Sequence, residues 1–283
     1  MSAPSFVVAG TQKAATTWLY ECLHEHPQVL VPPTKELHFF CPESECGKSR
    51  HGLGLDWYLS QFPDDARFKA KGELSIDYMD YPQVPRQLYE LNPSLRVLFI
   101  LRDPVDRAYS AYWMSRRNHT VFPPFSDYID PETELVARGY YHRQLRRYLD
   151  VFPADQLKIL IYEDLASDPH RILAEVFDFI GVDPEFRPAS AKQVIAETKS
   201  LQPRTSRLLY RYLSRFQRFP GALWTWRRVK RLTGVKQAAA NGARQPKYPA
   251  LPEQQAARLR SIYREETEKL FQLLGRRVPQ WRV

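Results

Sequence analysis

"VVAGTQKAATTWLYECLHEHP", residues 7–27, decides how this chain folds. Residues 5–9 are short, apolar and β-rich, and Gly10 closes them, so they read as a buried strand. Residues 16–26 have helical spacing and stop at Pro27. A strand, a Gly-bearing turn and a helix N-terminus together make an anion cradle. Free backbone N–H groups and the positive end of the helix dipole converge there. Lys13 adds a point charge, and Thr16 and Thr17 add hydroxyl donors. The order Gly10-Thr-Gln-Lys13-Ala-Ala-Thr16-Thr17 departs from the G-x-x-x-x-G-K-[ST] loop of triphosphate-binding proteins. The second Gly is missing, and Lys13 precedes the helix by more residues. The stretch reads as a phosphate loop of another kind; an ordinary strand–turn–helix with a solvated Lys is the alternative.

The rest of the chain repeats the theme. "RVLFIL" (96–101) is the clearest buried strand, and Pro104 starts a helix after it. "LKILIY" (157–162) is another strand. Helical spacing marks 84–91, 134–152 with Gly139 as a weak point, 168–182, and the closing stretch 251–275. Strands alternating with helices predict an α/β fold: a single domain over 1–283 with a central parallel sheet flanked by helices.

Bulk properties limit the function. The 283 residues contain three cysteines, Cys22, Cys41 and Cys46, with no C-x-x-C pair. A disulfide framework is not expected and a reducing compartment is. Cys41 and Cys46 are the one pair close enough in sequence to bridge a small loop. No basic stretch followed by an apolar run opens the sequence, so no leader is expected, and no apolar run approaches the roughly 20 residues that span a bilayer. A soluble, cytoplasmic protein is expected. The net charge of +9 is concentrated: 198–252 holds thirteen Lys and Arg and no Asp or Glu. This acid-free segment reads as an insertion or lid. Within it, 204–219 is a basic amphipathic pattern followed by Trp224 and Trp226. It suits an anionic partner or membrane surface over 203–231, or a helix packed on the core with solvated arginines. Nucleic acid fits the charge but no nucleic-acid-binding motif is present.

Arg102 leaves the end of a strand, where ligands collect in open α/β sheets. Ser110 lies two helical turns further on. An Arg and a hydroxyl can grip a second phosphate; alternatively Arg102 pairs with Asp103 or Asp106 as a local cap.

With both phosphate motifs in place, the chain resembles the sulfotransferases that use 3′-phosphoadenosine 5′-phosphosulfate (PAPS). Residues 7–27 resemble the family's 5′-phosphosulfate loop. "LRDPVDRAYSAY" (101–112) is similar to its 3′-phosphate motif in heparan-sulfate-type members. "KELHFF" (35–40) resembles that branch's catalytic segment, and "GELSIDYM" (72–79) a further family segment. The resemblance implies that Gly10, Gln12, Lys13, Ala14, Ala15, Thr16, Thr17 and Trp18 hold the 5′ end. It gives Arg102 and Ser110 the 3′-phosphate and lets Lys199 and Arg204 close over the nucleotide. Lys13 stabilises the leaving group, and PAP is the product. Glu36 is the general base, and His38 either orients the acceptor or serves as the base itself. A salt-bridged loop with a satisfied His is the alternative reading of Glu36 and His38. No metal is implied. The acceptor is a small molecule, a carrier-bound chain, a lipid or a saccharide. Glycan-type members carry a Lys where this chain has Leu74, which weakens the case for a heparan-like acceptor; Lys35 is the candidate substitute. Tyr140 and Tyr141 either line the acceptor pocket or pack within their helix. Two other classes stay open: a phosphate-loop kinase, and a non-catalytic nucleotide-binding or membrane-docking protein. Oligomeric state is not legible.

Overall fold

In the computed structural model, which describes residues 3–116, 122–192 and 248–282, the first strand is buried along its whole length. The described elements run β1 (Phe6–Gly10), α1 (Thr16–Glu25), β2 (Val29–Leu30), α2 (Gly54–Ser60), β3 (Ala70–Leu74), α3 (Val84–Leu91) and β4 (Arg96–Leu101). They continue as α4 (Pro104–Arg116), α5 (Glu134–Ala137), α6 (Tyr141–Leu149), β5 (Leu157–Ile161), α7 (Tyr162–Ser167), α8 (Pro169–Ile180) and α9 (Glu253–Leu274). Met1–Ile195 and Ala250–Val283 form one compact unit. Ala196–Pro249 is assigned to a second unit, almost all of it outside the described residues.

Five strands make one parallel sheet in the order β2-β3-β1-β4-β5. Phe6 stands opposite Gly72 on one side and Arg96 on the other. Successive side chains on a strand face opposite ways. Val7 and Ala9 therefore enter one core, with Val97, Phe99 and Leu101 from β4. Phe6 and Val8 enter the other, with Leu98 and Ile100. Helices cover both. α6 presents Tyr141, Leu145 and Tyr148, one face of a helix, to the first core, where Leu270 and Phe271 of α9 also pack. α1 and α8 cover the second with Leu19, Leu23, Val176 and Phe177. The expected α/β architecture is what forms.

Residues 134–152 were expected as one helix, yet α5 and α6 are separate. The cause is tertiary. A Cβ at Gly139 would lie 2.6 Å from the ring of Tyr263 on α9. The Tyr263 hydroxyl donates to the Val136 carbonyl at 2.9 Å. The ring occupies the break, and only Gly leaves room for it.

The topology positions the site. From β1 the chain moves to β2 and β3 on one side, then crosses to β4 and β5 on the other. The loops after β1 and β4 leave neighbouring strands in opposite directions, the crevice where α/β sheets bind ligands. All five strands being parallel, Gly10, Leu74 and Leu101 end at the same edge.

Candidate active site

After β1 the backbone takes an unusual course. Lys13 (φ 70°) and Ala15 (φ 64°) are both left-handed. Alternation of this kind turns successive N–H groups to one side, the form of an anion-binding nest. Ala15 caps α1 with no side-chain bond, and the first turn holds no acid. The N–H groups of Thr16, Thr17 and Trp18 therefore have no intrahelical partner. The Trp18 indole donates to the Ser190 carbonyl at 3.1 Å in a buried contact. That bond commits the Trp18 side chain to Ser190 and leaves its backbone N–H at the helix start. Gly10 is needed for close approach, because a Cβ there would lie 2.8 Å from the sulfur of Met79.

Arg102 reaches this loop. Its Nη1 donates to the Lys13 carbonyl at 3.1 Å, and its guanidinium sits over the Tyr162 ring at 4.9 Å. Its Nε is buried with no hydrogen-bond partner among the described residues. The local cap is made by Asp103, which accepts from the Val105 N–H at 2.8 Å. Arg102 is thus free of that duty. Ser110 is buried on α4. Tyr141 donates to the Arg102 carbonyl at 2.9 Å, and Tyr140 packs edge-on to Tyr263. Both tyrosines are buried, so the packing alternative holds.

Glu36 and His38 lie on the loop after β2 and are left-handed as well, at φ 64° and 51°. Each such residue costs on the order of 1–3 kcal/mol and persists only where its surroundings fix it. Here they do. Glu36 N–H donates to the Leu74 carbonyl at 3.0 Å, and His38 N–H to Ser75 Oγ at 3.1 Å. Arg50 donates to the carbonyls of Glu36 and Leu37 at 2.8 and 2.9 Å. Behind the loop stands Glu73, a buried carboxylate accepting from Tyr58 OH (2.8 Å), Tyr78 OH (2.8 Å) and Ser75 Oγ (2.6 Å). Burial pushes the Glu73 carboxyl up, against the pull of those donors. Tyr78 OH in turn accepts from the N–H groups of Phe39 and Phe40, at 3.0 and 3.4 Å.

The side chains form a line. Asp77 Oδ2 is 3.4 Å from His38 Nδ1, and His38 Nε2 is 3.6 Å from Glu36 Oε2. Lys35 Nζ bonds Glu36 Oε1. Arg138 holds the outer oxygen of Asp77 at 2.7 Å. The His38 side chain is 3% exposed and that of Glu36 27%, so Glu36 is the member an incoming molecule meets. Burial raises the Glu36 carboxyl, but hydrogen bonds and charge from His38 and Lys35 outweigh it and bring it to about 2. Leu74 is buried in the core. The cation beside the carboxylate comes from Lys35 on the same loop.

Glu73, Asp77, Tyr78 and Arg138 are the parts sequence reasoning missed. "GELSIDYM" carried three of them as an unassigned segment, and nothing local signals Arg138. The sequence also named no metal-ligand set, yet the fold brings His38, Cys41 and Cys46 together. Cys41 and Cys46 are free thiols, so the possible loop bridge is not formed. Lys199, Arg204 and the basic stretch 203–231 lie outside the described residues.

The model of the sulfotransferase domain family matches residues 3–271. The chain is 28% identical over 302 residues to mouse (Mus musculus) bifunctional heparan sulfate N-deacetylase/N-sulfotransferase 4, covering 98% of this chain and 31% of that one. It is 30% identical over 193 residues to human (Homo sapiens) heparan sulfate glucosamine 3-O-sulfotransferase 5, covering 64% and 54%. It thus spans about a third to a half of the length of these relatives. Among solved structures, a sulfotransferase from Alicyclobacillus acidocaldarius superposes over all of both chains with a TM-score of 0.73 at 23% identity, a likeness of fold. A strand-to-helix anion cradle, an arginine after β4 that reaches it, and a family match over nearly the whole sequence agree: this chain belongs to the sulfotransferase domain family.

Proposed function

We propose that this chain moves a sulfuryl group from PAPS to a hydroxyl or amine of a small-molecule, carrier-bound, lipid or saccharide acceptor. One observation carries the reading. Arg102 joins its own strand end to the Lys13 loop, so two anion-binding elements meet across the switch point, as a nucleotide with phosphates at both ends requires. The residues fit that nucleotide: Arg102 Nε is buried with no hydrogen-bond partner among the described residues, and the first N–H groups of α1 have no intrahelical partner, so both elements offer donors to an anion.

Bound PAPS supplies the activated sulfuryl group. The chain's own residues do the rest, by positioning and electrostatics. Lys13 and the N–H groups of α1 absorb charge on the departing phosphate. Arg102 and Ser110 hold the 3′-phosphate. Glu36 takes the acceptor proton, since it is ionised and the more exposed of the pair, while His38 behind it fixes its orientation. Lys35 stands in for the cation absent at Leu74. The named relatives act on heparan sulfate; that missing cation leaves a broader acceptor class here. The basic stretch 203–231 would dock an anionic partner. Three free, buried cysteines accord with a reducing, cytoplasmic setting.

The test has two stages. Thermal shift should respond to 3′,5′-ADP far more than to ATP; equal or reversed responses point to a phosphate-loop kinase instead. Labelled sulfate from PAPS should then appear on members of an acceptor library. Nucleotide binding with no transfer to any acceptor would leave a non-catalytic binding protein.

A further inference from the structure

The loop that carries Glu36 and His38 also carries two thiols that the transfer reaction does not use. His38 Nδ1 and Cys41 Sγ are 3.8 Å apart. The ligand atoms of His38, Cys41 and Cys46 all lie within 4.8 Å of one another, and the residues are 2%, 1% and 7% exposed. We propose that these three side chains form a binding site for a soft divalent cation of the Zn²⁺ class.

The geometry is close to what such an ion needs. Zn–S bonds of about 2.3 Å and Zn–N bonds of about 2.0 Å, set tetrahedrally, separate the donor atoms by roughly 3.5–3.8 Å. Each pair has at most about 1 Å to close. The backbone holds the donors at this range. Cys41 N–H donates to the His38 carbonyl at 3.3 Å, Cys46 N–H to the Pro42 carbonyl at 2.8 Å, and Ser49 Oγ to the Cys41 carbonyl at 2.7 Å. Two turns therefore fold an H-x₂-C-x₄-C segment onto one point.

The surroundings fit as well. Imidazoles that ligate metals usually give their second nitrogen to a carboxylate. His38 Nε2 faces Glu36 Oε2 at 3.6 Å, leaving Nδ1 on the side of the sulfurs. Asp77 Oδ2, 3.4 Å from Nδ1, is the nearest further oxygen, and Arg138 already pairs its other oxygen. Charge balances on binding: the divalent ion displaces one proton from each thiol, both protons go to solvent, and two thiolates with one dication bury no net charge. A cation on Nδ1 keeps the His38 proton on Nε2, so His38 serves Glu36 as a donor and does not act as a base.

Binding does not depend on the sulfotransfer reading, and its test uses no activity. Full-length protein is stripped with a chelator, kept reduced with a phosphine, and titrated with CoCl₂ without oxygen. We expect one equivalent to bind with a thiolate-to-cobalt charge-transfer band and the visible bands of a tetrahedral ion, and ZnCl₂ to abolish both. Cys41→Ser and Cys46→Ser should each lose the charge-transfer intensity. Cys22→Ser, on α1, should keep it and serves as the control for any general effect of removing a thiol. A wild-type protein that takes up no Co²⁺, a band that survives in Cys46→Ser, or recovery of Cys41 and Cys46 as a disulfide under these conditions would overturn the proposal.

Discussion

At Glu36, one carboxylate is gripped by a lysine on one oxygen and faced by a histidine on the other. Its value near 2 keeps it ionised through the neutral range. Glu36→Gln should lower kcat by about 10²–10⁴-fold while leaving the Kd for 3′,5′-ADP nearly unchanged; calorimetry with the nucleotide separates the two effects, and loss of both would make Glu36 structural. The wild-type acid limb of kcat/KM should not be set by Glu36, since its proton goes on only near pH 2. Lys35→Met removes a hydrogen bond and a positive charge that favour the carboxylate. Glu36 then rises, and a new acid limb should appear at higher pH in the kcat/KM profile. The sign for stability is the same: this depressed carboxylate stabilises the fold above the unfolded carboxyl range of about 4.3, and the contribution fades as pH falls toward 2.

At the scale of elements, the loop that carries Glu36 and His38 owes its shape to the end of β3 and the turn after it. Tyr78 OH accepts from the backbone of Phe39 and Phe40 and donates to Glu73. Tyr78→Phe strands two buried N–H groups and removes one donor from a buried carboxylate. It should cost about 1–3 kcal/mol in urea unfolding and lower kcat more than it weakens nucleotide binding, because it frees the Glu36 loop and leaves α1 alone. Gly139→Ala tests the other local rule. A methyl group 2.6 Å from the Tyr263 ring forces α9 outward or the α5–α6 break open, for about 1–3 kcal/mol, measurable in the same unfolding experiment.

At the scale of the molecule, the segment around Trp281 is tied to the turn after β4 that carries Arg102. Trp281 packs on Tyr141 and Phe271, and its indole donates to Glu163 at 2.9 Å. Glu163 also accepts from the Asp103 N–H at 3.1 Å, next to Arg102. Residues from the turn after β4, from α6 and α7 and from the segment at Trp281 thus meet beside Arg102. Trp281→Ala should cost about 3–5 kcal/mol and raise the Kd for 3′,5′-ADP. Trp281→Phe keeps most of the packing and loses only the Glu163 bond, so it should retain most of the stability.

The sequence by itself determined the strand–turn–helix after β1, with its open helix start, and the helix-flanked parallel sheet. Each rests on local physics: apolar runs of strand length, helix stops at Pro and Gly, and unpaired N–H groups at a helix start. Only the tertiary structure decided what stands around Glu36. Arg138 lies 61 residues from Asp77, and Tyr58 lies 15 from Glu73; contacts of that range leave no periodic trace. It also decided the fates of Gly139, Tyr140 and Tyr141, because a helix is broken or a ring buried by what packs against it. The three soft donors show the divide most plainly. Their spacing in the sequence matches no metal motif, and only two turns in a clamped loop bring an imidazole and two thiols to one point.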